Sequence, residues 1–276
     1  MSNQINSKEF EEKKEKLFKQ NIERIKHKIV VASGKGGVGK STVSVNIAYG
    51  LALNGYRVGL LDIDIHGPSI AKMVGIENKI IPIEEGENPK PIEANHNLFV
   101  VTLASMLESP DDPVIWRGPV KNGVIKQFLD EIEWPELDYL IIDSPPGTGD
   151  EVLTIFQILG KDTKVVVVST PQNVSFLDVR KFINFVKKME LNIIGLVENM
   201  GSLICPHCDK VIDIFKSGSA DKTSKDFNIE ILGNIPIDVN IATSSDDGKP
   251  YIYHYAKTKG GVEFSSIVKK IVDKTN

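Results

Sequence analysis

An apolar run, KIVVAS (residues 28–33), passes without a break into GKGGVGKST (residues 34–42). Few stretches this short restrict a fold as much. Gly34, Gly39, Lys40 and Ser41 satisfy G-x-x-x-x-G-K-[ST], a loop that works only between a β-strand and the N-terminus of an α-helix. Its glycines let the backbone curl until successive N–H groups point at phosphate oxygens, and the positive end of the next helix backs that nest. Lys40 is expected to reach the β- and γ-phosphates, and the Ser41 hydroxyl to bind Mg²⁺. The phosphate cradle therefore falls on Gly34, Lys35, Gly36, Gly37, Val38, Gly39, Lys40, Ser41 and Thr42.

The rest of the chain agrees with such a loop. Short apolar runs recur as RVGLLDID, LFVVTLA, DYLIID, KVVVVST, NIIGLVEN and IEILGNIP, with helical patterns over 40–54, 119–133, 150–160 and 174–189. Strands apolar on both faces and alternating with helices predict an α/β fold, a predominantly parallel sheet covered on both sides. At 276 residues there is room for one large core. The turn-rich IPIEEGENPKPIEANHN reads as a surface insertion with a hairpin. Residues 1–27 read as a charged helix leading into a domain over 28–276, with Phe10, Leu17, Phe18, Ile22 and Ile25 forming one docking stripe.

Composition removes several classes. A formal net charge of −4 argues against a nucleic-acid partner. No apolar run approaches membrane-spanning length, and the first twenty residues lack the apolar core of a signal peptide. Two cysteines cannot form a disulfide framework, so the chain reads as cytoplasmic, where thiols stay reduced.

Carboxylates complete the phosphate site. Asp62 and Asp64, in LLDID, are two residues apart and so share one face of an extended strand. A strand delivers Asp143 into DSPPGTGDE, where a carboxylate holds Mg²⁺ through water. Gly147 then lies where its N–H could meet a γ-phosphate, giving the loop two states, with Pro145 and Pro146 restricting its entry.

Lys35 is a second cation inside the loop. From Lys35 to Ser41 the sequence resembles the deviant phosphate-loop ATPases, the MinD, ParA, nitrogenase-reductase and arsenic-pump superfamily with K-G-G-x-x-G-K-[ST]. The resemblance implies a P-loop NTPase fold and an ATP-dependent homodimer in which Lys35 crosses to the partner's nucleotide. It further implies that Lys40 and Asp64 join Lys35 in hydrolysis, that Asp62 supports the metal beside Ser41 and Asp143, and that Asn199, Pro236 and Asp238 contact the base.

Cys205 and Cys208, in ENMGSLICPHCDK, look like half of a metal site. A zinc ribbon needs a second C-x-x-C or a paired histidine motif, and neither follows. A thioredoxin-like redox pair and two plain surface thiols stay open. So does a symmetric solution: two copies about a two-fold axis would supply four thiolates, the set a 4Fe–4S cluster takes. With DSPPGTGDE and VIWRGP (residues 114–119) upstream, ICPHC after VENM closely resembles the Mrp/ApbC iron–sulfur cluster carrier ATPases. That resemblance implies transient cluster binding, partners that are apo-proteins and a cluster-assembly scaffold, no nucleic acid and no membrane, and zinc at the thiols in aerobic preparations. The mechanism expected from these parts is that closure and hydrolysis shift the loop 144–150 and thereby the spacing of the cysteine pairs. Two competing functions remain. A positioning ATPase would use the terminal stripe Phe264, Ile267, Val268, Ile271 and Val272 on a membrane, although such a stripe more often packs a last helix on a sheet. An electron-transfer reductase would also bind a cluster between subunits.

Overall fold

The computed structural model describes residues 14–64, 69–77, 79–81, 88–95, 97–102, 105, 118–205, 207–208, 210–215 and 218–276. A helix α1 (14–23) leads into β1 (Ile25–Ala32), α2 (Lys40–Leu53), β2 (Val58–Asp62), α3 (Ile70–Met73), β3 (Ile92–Asn95) and β4 (Leu98–Val101). There follow α4 (Gly118–Asp130), β5 (Leu137–Asp143), α5 (Asp150–Leu159), β6 (Lys164–Ser169), α6 (Asn173–Lys188) and β7 (Asn192–Glu198). The chain continues through β8 (Leu203–Ile204), β9 (Val211–Ile212), α7 (Ser219–Phe227), β10 (Ile231–Asn234), α8 (Val239–Asp246), α9 (Tyr251–His254) and α10 (Lys259–Thr275).

Eight strands form one sheet in the order β10-β7-β6-β1-β5-β2-β4-β3, and β8 and β9 form a separate small hairpin. Every neighbouring pair in the large sheet is parallel except β3 with β4. The α/β reading therefore holds. β2 is buried along its whole length and the last five residues of β1 are buried, as strands covered on both faces must be. On the helical side, α2 packs with α9 and α10, whereas α6 packs with α7 across β6, β7 and β10.

β1 lies between β5 and β6, so connections leave it in opposite directions. At such a reversal a crevice opens beyond the carboxyl ends of the strands. Register brings three strand ends together there: Val31 pairs with Asp143, and Asp143 with Asp62.

Three elements differ from the sequence reading. Part of the predicted surface insertion is β3, an antiparallel edge strand on β4, while its residues 82–87 lie outside the described residues. β1 begins at Ile25, ahead of the KIVVAS run. In α1, Phe18 and Ile22 pack on the core as the docking stripe requires, and Asn21 is fully buried besides. Asn21 Nδ2 donates to the carbonyls of Leu129 and Ile132, both at 2.7 Å, and its Oδ1 accepts from the Trp134 N–H at 3.3 Å. A Lys14–Glu131 ion pair adds to that junction. Phe10 and residues 114–117 of VIWRGP lie outside the described residues, and α4 begins at Gly118.

The stripe of the last helix is core. Phe264, Ile267, Val268 and Ile271 of α10 are fully buried, and the Tyr139 hydroxyl shares a 2.9 Å hydrogen bond with Thr275 Oγ1. Among the described residues no helix is long and apolar enough to cross a membrane. Phe264→Ala should therefore cost about 3–5 kcal/mol, read as a lower urea midpoint. A change below about 1 kcal/mol would mean that the stripe is not packed as described.

Candidate functional site

Asp143 is the hub. Its Oδ2 accepts from Ser41 Oγ at 2.6 Å, its Oδ1 accepts from Ser44 Oγ at 2.7 Å, and Lys40 Nζ lies 2.8 Å from Oδ1 as an ion pair. All three partners sit in the first turns of α2, so one carboxylate at the end of β5 fastens the phosphate-loop helix to the sheet. Ser44 escaped the sequence reading; its only signal was its position three residues after Ser41, on the same helix face. Its hydroxyl also reaches the Lys40 carbonyl at 3.1 Å.

Asp62 and Asp64 join the cluster. Asp64 Oδ2 is 3.8 Å from Lys40 Nζ, and the Asp64 N–H donates to Asp62 Oδ1 at 3.0 Å. The Ile63 N–H donates to the Asp143 carbonyl at 3.0 Å, closing the β2–β5 junction. Asp62 is 1% exposed and its Oδ2 has no hydrogen-bond partner. Burial first, and the neighbouring Asp143 carboxylate second, push its carboxyl well above the usual range, against the pull of Lys40. A buried carboxylate oxygen without a partner, next to a second carboxylate and a serine hydroxyl, is a set of hard oxygen donors short of positive charge. Ser41, Asp62 and Asp143 fit Mg²⁺ on those grounds.

The loop itself is held from outside. Asn199, at the end of β7, donates through Nδ2 to the Val38 carbonyl at 2.9 Å. Gly39 adopts φ +79°, and a Cβ there would lie 2.1 Å from Asn199 Nδ2, so only glycine satisfies both the turn and the neighbour. The expected base contact of Asn199 thus meets a side chain already engaged beneath the loop. Thr42 offers its carbonyl to Asn46 Nδ2 at 2.8 Å, while Gly36 and Gly37 are exposed at the loop tip. Lys35 reaches Gln172 Oε1, at the start of α6, at 3.3 Å. The Gly147 N–H, expected to face a terminal phosphate, donates to the Ser33 carbonyl at 2.8 Å in this structure.

Pro236 and Asp238 are placed beside the first cysteine. A cavity of about 260 Å³ is lined by Ile204, Cys205, Pro236, Asp238, Asn240 and Lys259, among others. Asp238 caps α8, its Oδ1 accepting from the Asn240 N–H at 2.8 Å, and its Oδ2 accepts from the Tyr251 hydroxyl at 2.6 Å. Burial, then that bond, push the Tyr251 phenol far above its ordinary range. Both carboxylate oxygens expected to meet a base therefore have structural partners.

Cys205 is half-buried, Cys208 is exposed, and neither is in a disulfide. They sit in the turn of the β8–β9 hairpin, where Val211 and Ile212 of β9 and Ile214 just beyond it are exposed; Pro206 and Asp209 lie outside the described residues. Among the described residues no three His, Cys, Asp or Glu side chains gather to hold a metal ion.

Comparison with known proteins follows the same lines. Residues 24–272 match ParA, described as an NUBPL iron-transfer P-loop NTPase. An iron-sulfur cluster carrier protein of Methanocaldococcus jannaschii is 47% identical over 257 residues, 93% of this chain and 88% of that protein. A cytosolic Fe-S cluster assembly factor NUBP2 homolog of Dictyostelium discoideum is 45% identical over 250 residues, 90% of this chain and 94% of its own. Among solved structures, a nucleotide-binding protein in complex with ADP from Archaeoglobus fulgidus superposes with a TM-score of 0.76 at 36% identity, covering 86% of this chain and 93% of that one. The cell division ATPase MinD of Pyrococcus furiosus shares the fold, with a TM-score of 0.66 at 22% identity over 90% of this chain and 99% of that one.

The strained charge at Asp62 sets a pH dependence. The fold keeps this carboxyl protonated to a higher pH than the unfolded chain does, where it titrates near ~3.9. Above that value the folded state holds the extra proton, so stability falls as pH rises toward the folded value. In metal- and nucleotide-free protein, Asp62→Asn should raise stability at pH 7 by about 1–3 kcal/mol, with the gain shrinking toward pH ~4. Urea midpoints across pH check this; a variant less stable at pH 7 than the parent would contradict it.

Proposed function

The chain belongs to the NUBPL iron-transfer family of P-loop NTPases, and from that membership we propose that it is an ATP-hydrolysing carrier of iron–sulfur clusters. Two copies hold a 4Fe–4S cluster between them and pass it to apo-proteins, having taken it from an assembly scaffold; the setting is cytoplasmic. One observation carries the reading. Cys205 and Cys208 stand on an exposed hairpin, and among the described residues nothing gathers beside them to complete a metal site. A second copy of the same hairpin supplies the missing pair, and four thiolates suit a 4Fe–4S cluster. The names borne by the archaeal relatives support the cargo.

The nucleotide end follows from the hub at Asp143. Phosphates lie on the N–H groups of residues 34–42, and Lys40 transfers from Asp143 and Asp64 to the phosphate oxygens. Ser41, Asp62 and Asp143 would hold Mg²⁺, whose positive charge would offset the phosphates and the buried carboxylates together. Asp64, once released by Lys40, orients the attacking water. Lys35 leaves Gln172 and crosses to the partner's nucleotide when two copies close. The base lies against the Asn199, Pro236 and Asp238 side of the crevice. A positioning role on a membrane is disfavoured, because the stripe it would use on α10 is buried.

Anaerobic reconstitution with iron and sulfide tests the cargo. The expected product is a brown dimer with about four irons per two chains, formed whether or not nucleotide is present. Cys205→Ala should lose the colour and spare ATP binding, and a variant that still takes up the cluster would refute the ligand assignment. Lys40→Ala should lower ATP turnover by about 100-fold or more, measured as phosphate release.

A further inference from the structure

We propose that the segment from Asn199 to Cys205 is the mechanical link between the phosphate loop and the cysteine hairpin, with Asn199 its positioning residue and Met200 its hinge. The proposal deepens the carrier reading by naming how nucleotide would regulate the cysteine site, and it rests on that reading for its biological meaning.

The segment is anchored at both ends and along its length. At the nucleotide end, the Asn199 side chain is buried with Nδ2 on the Val38 carbonyl, and its N–H donates to the Ser169 carbonyl at 2.8 Å. Met200 comes next with φ +56°, a left-handed conformation that costs a non-glycine residue roughly 1 kcal/mol and persists only where the surroundings impose it. Its methyl carbon lies 3.8 Å from where a Cβ on Gly39 would stand, so the bent residue sits beside the loop. Gly201 follows, pressed so closely that a Cβ would fall 2.0 Å from Asn234 Oδ1; its N–H donates to the Ile235 carbonyl at 2.9 Å.

From there the segment is zipped to the hairpin and to residues 235–237. The Ile237 N–H donates to the Ser202 carbonyl at 3.1 Å, and Leu203 bridges Ile237 in parallel. Leu203 and Ile204 are themselves β8, paired with Ile212 and Val211, and the Cys205 N–H donates to the Lys210 carbonyl at 3.0 Å. Six residue steps, about 20 Å if extended, thus run from a phosphate-loop carbonyl to a cysteine with a fixing bond at nearly every step.

The loop 144–150, to which the sequence reading assigned this coupling, is fastened elsewhere. The Ser144 N–H donates to the Val31 carbonyl at 3.2 Å and the Gly147 N–H to that of Ser33, so these bonds run to the end of β1 and the entry of the phosphate loop. When the loop 34–39 turns its N–H groups onto phosphates, the Val38 carbonyl must reorient with them. Asn199 then follows that carbonyl or releases it, and Met200, the one strained residue between two anchored stretches, is where the backbone turns. The hairpin and its thiols move with Gly201 to Leu203.

Two cysteines in the whole chain make the hairpin directly readable. The experiment measures the rate of maleimide labelling of the reduced, cluster-free full-length chain without nucleotide, with Mg·ADP, and with a non-hydrolysable Mg·ATP analogue. Each variant is saturated according to its own binding titration. The expected result is a nucleotide-dependent rate change of about fivefold or more in the parent chain. It should collapse to near unity in Asn199→Ala and shrink in Met200→Gly, which removes no hydrogen bond and relaxes the hinge. Parent thiols indifferent to saturating nucleotide, or an Asn199→Ala chain that keeps the parent ratio, would overturn the link. If Asn199→Ala does not fold, an unchanged ratio in Met200→Gly overturns it alone. The carrier reading fails separately: a chain with nucleotide-sensitive thiols that takes up no iron and sulfide sinks the cargo and leaves the link, and a loaded chain with indifferent thiols does the reverse.

Discussion

Everything at the nucleotide end depends on one carboxylate. Asp143 ends the central strand β5 and takes two serine hydroxyls and the Lys40 ammonium from α2. A fully buried carboxylate is costly unless its lone pairs and charge are met, and these three groups meet them. The bond set also fixes where α2 begins relative to the sheet, and therefore where the phosphate loop can lie. Strand register does the rest: Asp62 is opposite Asp143, so the second carboxylate arrives without any further device.

That arrangement leaves the site overcharged on the negative side. Lys40 is shared between Asp143 and Asp64, and Asp62 is left with an unmatched oxygen. On the function proposed above, a divalent cation would offset that imbalance, and Lys40 would exchange its carboxylate partners for phosphate, leaving Asp64 without its ion partner.

The sheet and the cradle were legible because each is written in a local pattern. GKGGVGKST, LLDID and DYLIID each carry their residues at the end of an apolar run, and register then assembles them. What escaped was written in contacts between distant segments. Asn21 looked like one more polar residue in a charged helix, yet it satisfies two carbonyls and an N–H at the end of α4. Ser44 had only its spacing. α7, SADKTSKDF, is too polar to show a stripe by eye, and β8 and β9 are two residues each, too short for any periodicity. The seat of the Asn199 amide under the phosphate loop was likewise unannounced, since it depends on glycine at position 39 leaving room for it.

The shortness of β8 and β9 has a consequence of its own. Strands of two residues do not hold themselves together in water, so the order of this hairpin is borrowed from its seam with residues 202 and 237. Its opening belongs to the cheap, local end of the molecule's fluctuations, while the sheet beneath stays shut. If the chain carries a cluster as proposed above, an acceptor offering its own thiols would need to peel away only this flap, and the sheet would stay folded through the handover.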